Sequence, residues 1–252
     1  FQQSSPVDFM RHCFLPSANA HAVQAAECQK VSRMNTVNYL MDAVKDIWEQ
    51  YNEHPFVKGI ENQTLDREKF RYYIIQDCLY LEEYAKVFAL GTAKAKSMKT
   101  ARLFAKYIPV MNGELDVHEG YLARLKITQK EIDSAQRALD NLSYTSYMLR
   151  VAYEESEAEI LAAILACAWS YEIIAKKIAA NNPSSVCEGF YSDWIQGYIS
   201  ESYSRDNQIL LDTLNELTVH YTQKQIQHLA EIFTACSRYE LAFWQMAWTM
   251  SS

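Results

Sequence analysis

The sequence predicts an all-α protein, a single helical bundle. Turn-forming residues are scarce, with 6 glycines and 5 prolines in 252 residues, and a β or α/β protein with many tight loops needs more of them. From Asn35 onward, apolar residues recur at the helical steps of three and four, and no segment reads as a strand. Hydrophobic residues make up 49% of the chain, which is ordinary for a domain with a buried core.

The first 33 residues differ from the rest. They contain Pro6 and Pro16 and keep no sustained apolar period. We therefore predict an N-terminal extension of uncertain origin at 1–33 and one helical domain at 34–252, with an ordinary N-terminal arm as the alternative.

The helices follow from start and stop signals. The first is expected from Asn35 to about Glu53, because His54 precedes Pro55 and the residue before a proline resists the helical region. The second is expected to begin near a cap at Thr64 or Asp66 and to reach about residue 97. Further helices are predicted at 100–125, from a capping box at 128–131, and at 143–153, 156–180, 187–201, 202–221 and 222–250.

Charge and composition argue against several classes of protein. The net charge is −7, and no basic run suggests a nucleic-acid surface. The longest uncharged apolar run, from Ile160 to Tyr171, is about a dozen residues, fewer than a membrane span needs. The six cysteines form no CxxC or zinc spacing, and the chain does not open like a secretory signal. These features predict a cytoplasmic protein with reduced thiols.

Three helices carry a reactive side chain where the apolar stripe should continue. Glu240 interrupts the last helix, Asp77 interrupts the second, and Cys167 with Tyr171 lies on the stripe of the central apolar helix. A buried carboxyl group is neutralised or paired, and burial raises its pKa toward the range useful for acid–base chemistry. Two such carboxyl groups with a thiol and tyrosines predict a reactive pocket. The alternatives are that Cys167 is a small core residue, that each acid is half-exposed or paired with an arginine, and that the tyrosines are core.

Other catalytic patterns do not fit. The Glu-x-x-His pairs of di-iron bundles are absent, and the pairs Glu114/His118 and Glu216/His220 read as solvated faces. The glycines are too dispersed for a phosphate-binding loop, and GxSxG is absent.

Several segments between Thr36 and Met250 resemble the TenA/thiaminase II family, and they occur in the family's order. They are HPFVKGI at 54–60, KFRYYIIQD at 69–77, SYTSYM at 143–148, AEILAA at 158–163, CAWSY at 167–171, WIQGY at 194–198 and YELAFWQMA at 239–247.

The resemblance implies a haem-oxygenase-like helical bundle around one deep pocket, usually a homotetramer, without haem, metal or other cofactor. The implied activity is hydrolysis of 4-amino-5-aminomethyl-2-methylpyrimidine to the hydroxymethylpyrimidine and ammonia, a step of thiamin salvage. Cleavage of thiamin to the pyrimidine and the thiazole is the implied second activity.

The resemblance also implies roles for individual residues. Cys167 corresponds to the nucleophile and places the chain in the cysteine-containing branch, Asp77 to the pyrimidine anchor and Glu240 to the acid–base group. Ala168 stands where some relatives carry an aromatic residue. The implied substrate-binding residues are Tyr80, Tyr144, Tyr171, Tyr198 and Phe243.

Two other classes of function stay open. A haem-oxygenase-like oxidoreductase needs an axial histidine, and the best-placed one, His54, precedes Pro55. A protein that only binds a pyrimidine or thiamin needs the pocket but no nucleophile, which argues against it here.

Overall fold

A computed structural model describes residues 35–251, except for the side chains of 110–119. This part of the chain is built of α-helices and contains no strand, which confirms the all-α prediction. The predicted extension at 1–33 lies outside the described residues. The helices are α1 (Thr36–Glu53), α2 (Pro55–Glu61), α3 (Arg67–Lys94), α4 (Met98–Arg124), α5 (Gln129–Ser134), α6 (Leu139–Glu154), α7 (Glu157–Asn181), α8 (Ser184–Cys187), α9 (Ser192–Ile199), α10 (Glu201–Leu217) and α11 (Gln223–Thr249).

Side-chain caps begin the helices that carry Asp77 and Glu240, α3 and α11, whereas α7, which carries Cys167, begins without one. The Asp66 carboxylate accepts a hydrogen bond from the Glu68 amide at 2.8 Å and begins α3. The predicted capping box at Thr128 begins α5, and Thr222 forms a second capping box at the start of α11. Such caps satisfy amide groups that the first helical turn leaves without partners.

Two segments differ from the sequence prediction. The chain re-enters a helix at once after His54, because Pro55 occupies the first helical position of α2 and the His54 side chain accepts a hydrogen bond from the Phe56 amide. The single helix predicted at 187–201 is wrong. A turn with Gly189 at φ +106°, a conformation that favours glycine, separates α8 from α9.

Helix α7 is the central helix of the core. It packs against α11, α9, α10, α6 and α3. By length and composition alone α7 could cross a membrane, but 78% of its most apolar window is buried inside the protein. Burial of this kind is expected for a core helix that neighbours surround on all sides.

Close contacts fix the helices that surround α7. An added Cβ at Gly91 of α3 would lie 2.6 Å from the ring of Phe104 in α4, so the two helices approach closely only because this residue is glycine. Helix α1 holds α11 through Ser237: the Trp48 indole donates to its hydroxyl at 3.0 Å, and the Tyr51 hydroxyl donates to its carbonyl.

Candidate active site

One cavity gathers side chains from the polar positions of α3 and α7. Asp77 and Tyr80 reach it from α3, Cys167 and Tyr171 from α7, and Tyr198 from α9. The cavity that these residues leave is narrow, with a volume of about 30 Å³. The remaining lining residues are Leu81, Tyr84, Ala168 and Tyr203.

Glu240 lies behind this cavity wall, on α11. It is only 2% exposed. The hydroxyl of Tyr171 and the thiol of Cys167 act on its carboxyl group as hydrogen-bond partners, the Tyr144 hydroxyl lies near it, and Asp77 is close enough to act on it by charge. The structure therefore brings the two carboxyl groups and the thiol together at one end of the cavity. Their catalytic roles stay predictions.

The environment of Glu240 holds a proton at neutral pH. Burial, and next the negative charge of Asp77, raise the pKa of Glu240 from 4.5 to about 8. The Tyr171 hydroxyl and the Cys167 thiol favour the carboxylate by hydrogen bonding and limit the rise. A carboxyl group with a pKa near 8 can both give and accept a proton close to neutral pH, as acid–base catalysis requires.

Aromatic rings form the walls. Ring centroids of Tyr80 and Tyr144 are 5.3 Å apart, and those of Tyr171 and Tyr198 are 4.9 Å apart. Phe243 lies behind Tyr80, at 5.8 Å between ring centroids, and supports the wall. These rings pack against one another, and the surfaces that Tyr80, Tyr171 and Tyr198 turn to the cavity can stack on a planar heteroaromatic ligand.

The wall tyrosines keep their protons. Burial raises the pKa of Tyr80, Tyr144 and Tyr171 well above 10, and their neighbours Glu240 and Cys167 add to this. The Tyr144 hydroxyl is fully buried near Glu240 and makes no hydrogen bond in the described part of the chain. These hydroxyls therefore act as hydrogen-bond donors rather than as bases.

Two thiols lie near Glu240, and only one of them is open to the cavity. Cys167 is half-buried and lines the cavity. Cys236 lies one turn before Glu240 on α11 and is fully buried, and burial followed by the charge of Glu240 raises the pKa of its thiol. A buried, protonated thiol is a poor nucleophile, so Cys167 is the thiol that a bound ligand can meet.

Sequence reasoning missed part of this site. Tyr73 and Tyr84 share the stripe of α3 with Asp77 in the sequence as in the structure, but they were not assigned to the site. Trp194 follows the turn that the sequence analysis overlooked, and Tyr203 begins the next helix, so neither could be assigned a face.

His54, the histidine considered for haem ligation, serves as a structural cap. Its Nδ1 accepts from the Phe56 amide at 3.2 Å, and its Nε2 lies 3.1 Å from Oε1 of Gln245. Burial lowers its pKa. It lines a separate surface groove beside Arg238 rather than the cavity, so the haem interpretation has no support from this residue.

Comparison with known proteins identifies relatives along nearly the whole described chain. Residues 41–250 match the model of the TENA/THI-4/PQQC family. An aminopyrimidine aminohydrolase of Helicobacter pylori is 43% identical over 85% of this chain and 99% of its own length. One of Halalkalibacterium halodurans is 38% identical over 83% and 93%. The structure of a TenA homologue from P. horikoshii OT3 superposes with a TM-score of 0.75 at 30% identity, covering 86% of this chain and 99% of that one.

Proposed function

Since the chain belongs to the TENA/THI-4/PQQC family, we propose that it is an aminopyrimidine aminohydrolase like its relatives in Helicobacter pylori and Halalkalibacterium halodurans. The reaction is hydrolysis of 4-amino-5-aminomethyl-2-methylpyrimidine to the hydroxymethylpyrimidine and ammonia. This places the protein in thiamin salvage.

One observation carries the proposal. Glu240 is a buried carboxyl group with a pKa of about 8, and it shares one end of an aromatic cavity with Asp77 and the accessible thiol of Cys167. A protein that only binds a pyrimidine needs the aromatic walls, but it does not need a thiol next to a carboxyl group poised near neutral pH.

In the mechanism we propose, Asp77 binds the amino edge of the pyrimidine and favours the protonated, electron-poor ring. In the fraction of molecules in which Glu240 is ionised, its carboxylate takes the proton of the Cys167 thiol, and the thiolate adds to a ring carbon. Glu240 then gives that proton to the departing amine, which leaves the exocyclic methylene as ammonia.

Water completes the reaction at the same carbon. Glu240, again a carboxylate, removes a proton from water, and the resulting hydroxide adds to the methylene while the thiolate leaves the ring. Glu240 then returns this proton to the Cys167 thiolate, which restores both residues, and the net change is replacement of the amine by a hydroxyl group. The tyrosine hydroxyls stabilise the charges that form on the carboxyl group.

An ammonia-release assay tests the function. We expect turnover of the aminomethylpyrimidine, and slower release of thiazole when thiamin is supplied, as the second activity. Binding of the pyrimidine without either product would favour a binding protein. Absence of both binding and turnover would refute the proposed substrate class.

We also propose a homotetramer in the cytoplasm. In support of self-association, Leu139, Leu142 and Tyr153 of α6 lie on one helical face and are exposed. In support of a reducing compartment, the four described cysteines form no disulfide. Sedimentation equilibrium measures the assembly, and a monomer at micromolar concentration would refute it. Fractionation of the source cells tests the compartment.

A further inference from the structure

A row of buried side chains leads from α9 to Glu240. The Trp194 indole N–H donates to the Tyr73 hydroxyl at 3.4 Å, and the Tyr73 hydroxyl donates to that of Tyr171 at 3.4 Å. The Tyr171 hydroxyl acts in turn on the Glu240 carboxyl group. The row joins four helices, α9, α3, α7 and α11, and each of its members is at most 4% exposed.

The chemistry of the two ends gives the row one direction. An indole N–H can only donate, and a carboxylate can only accept. Tyr73 therefore receives the indole proton on its oxygen and turns its own proton toward Tyr171. Tyr171 then turns its proton toward Glu240. Reversing the row would point the Tyr73 proton at the indole N–H, which cannot accept it, and would leave a buried hydroxyl proton without an acceptor, which is costly.

We propose that Trp194 and Tyr73 are positioning residues for Glu240, which act through Tyr171 by keeping its hydroxyl proton directed at the carboxylate. The inference rests on the proposed acid–base role of Glu240. Neither residue needs to touch the substrate. Stacking of Tyr73 on Trp244, at 5.6 Å between ring centroids, keeps the middle member of the row in place.

The other groups around Glu240 do not include a charged partner that could stabilise its carboxylate in place of this row. Asp77 is the neighbour whose charge acts on Glu240 at neutral pH, and it opposes the carboxylate. No cation is among the described groups that act on Glu240, so hydroxyl and thiol donors stabilise its charged form. The groups that face it are Tyr51 of α1, Tyr73, Asp77 and Tyr80 of α3, Tyr144 of α6, Cys167 and Tyr171 of α7, and Cys236 of α11.

Removing the hydroxyl of Tyr73 tests the row. In Tyr73→Phe nothing holds the Tyr171 hydroxyl proton in one direction, and its hydrogen bond to the Glu240 carboxylate becomes weaker. We expect the limb of the pH–rate profile that belongs to Glu240 to move up by about 0.5–1 pH unit. A direct hydrogen bond to a carboxylate corresponds to about 1–2 units, and Tyr73 acts one bond further away. Trp194→Phe should move the limb the same way, by less.

The double variant separates a linear row from independent packing effects. The Trp194 indole N–H acts only through Tyr73, and phenylalanine keeps an aromatic ring beside Tyr171, so Tyr73→Phe with Trp194→Phe should give the same limb as Tyr73→Phe alone. Tyr191→Phe is the matched control, because Tyr191 is also buried and donates to a backbone carbonyl, that of Leu65, at 2.6 Å. It should leave the limb unchanged. Additive shifts, or an equal shift in the control, would overturn the proposal.

The same shift can be measured without turnover by an infrared titration. The signal of the protonated Glu240 carboxyl group is obtained as the difference from Glu240→Gln, and its pKa is compared with and without Tyr73→Phe. If Tyr73→Phe shifts the titration of the carboxyl group and the natural protein shows no turnover, the row is supported and the proposed function is refuted. If the natural protein turns over its substrate, and Tyr73→Phe changes neither the carboxyl titration nor the limb of the pH–rate profile, the row is refuted. Circular dichroism identifies a variant that does not fold, and the remaining single variant then decides the question.

Discussion

Replacing Glu240 by glutamine should abolish activity and make the protein more stable at alkaline pH. Between pH 4.5 and about 8 the folded protein keeps on Glu240 a proton that the unfolded chain releases. The free energy of unfolding therefore falls as the pH rises through this window and is constant above it. Glutamine is neutral and has nearly the same shape, so the variant does not lose this stability.

The size of the effect follows from the width of the window. A pKa that rises from 4.5 to about 8 spans about 3.5 pH units, and each unit corresponds to about 1.4 kcal/mol. At pH 9 the variant should therefore be more stable than the natural protein by about 4–5 kcal/mol, while at pH 4 the two should be nearly equal. For a domain of this size the difference raises Tm by roughly 10 °C.

Urea denaturation of both proteins from pH 4 to 9 measures this difference. Glu172→Gln is the control, because its effect on the free energy of unfolding should change with pH in the opposite direction. Burial raises the pKa of Glu172, but hydrogen bonds from Lys176 and Asn207 outweigh it, so the net pKa is lowered. The carboxylate of Glu172 stabilises the fold above its unfolded pKa, and that stability is lost as the pH falls through the folded pKa. Glu172→Gln should therefore be less stable at neutral pH and regain parity in acid. A stability difference for Glu240→Gln that does not change with pH would refute the reasoning.

Three further substitutions test other parts of the molecule. Cys167→Ser should lower the rate of ammonia release by roughly a thousandfold or more while calorimetric binding of the pyrimidine persists, and a full rate would exclude the covalent step. Asp77→Asn should weaken pyrimidine binding and move the Glu240 limb of the pH–rate profile down, because it removes the charge that raises the pKa of Glu240; a limb that stays in place would show that the two carboxyl groups are not coupled. Gly91→Ala should lower the free energy of unfolding by about 1–3 kcal/mol, since the new methyl group meets the Phe104 ring at 2.6 Å; unchanged urea unfolding would mean that the ring yields without cost.

The sequence predicted the helical class and the site residues that share a periodic stripe. Asp77 and Glu240 each interrupt an apolar stripe, and both are buried in the structure. Periodicity is a property of one helix, so it could show that each residue faces inward but not that the three helices meet at one cavity. Pro55 was recognised as ending α1, but its other role, beginning α2, was missed.

The rest of the site depends on the turn at Gly189. That residue sets the direction in which α9 leaves α8, and so brings Trp194 against Tyr73 and Tyr198 against Tyr171. A local pattern contains no information on this direction, because the helical face that becomes buried is decided by the neighbours that α9 meets. The row that ends at Glu240 therefore became visible only in three dimensions.

The aromatic walls also give the protein an optical property. The rings of Trp194 and Trp244 lie 5.9 and 5.1 Å from that of Tyr171, which lines the cavity. The tryptophan pair Trp48 and Trp169, at 5.3 Å, packs against Phe233 instead. A molecule that stacks in the cavity changes the surroundings of one pair of indoles more than those of the other. Intrinsic fluorescence can therefore report occupancy of the cavity without an attached dye.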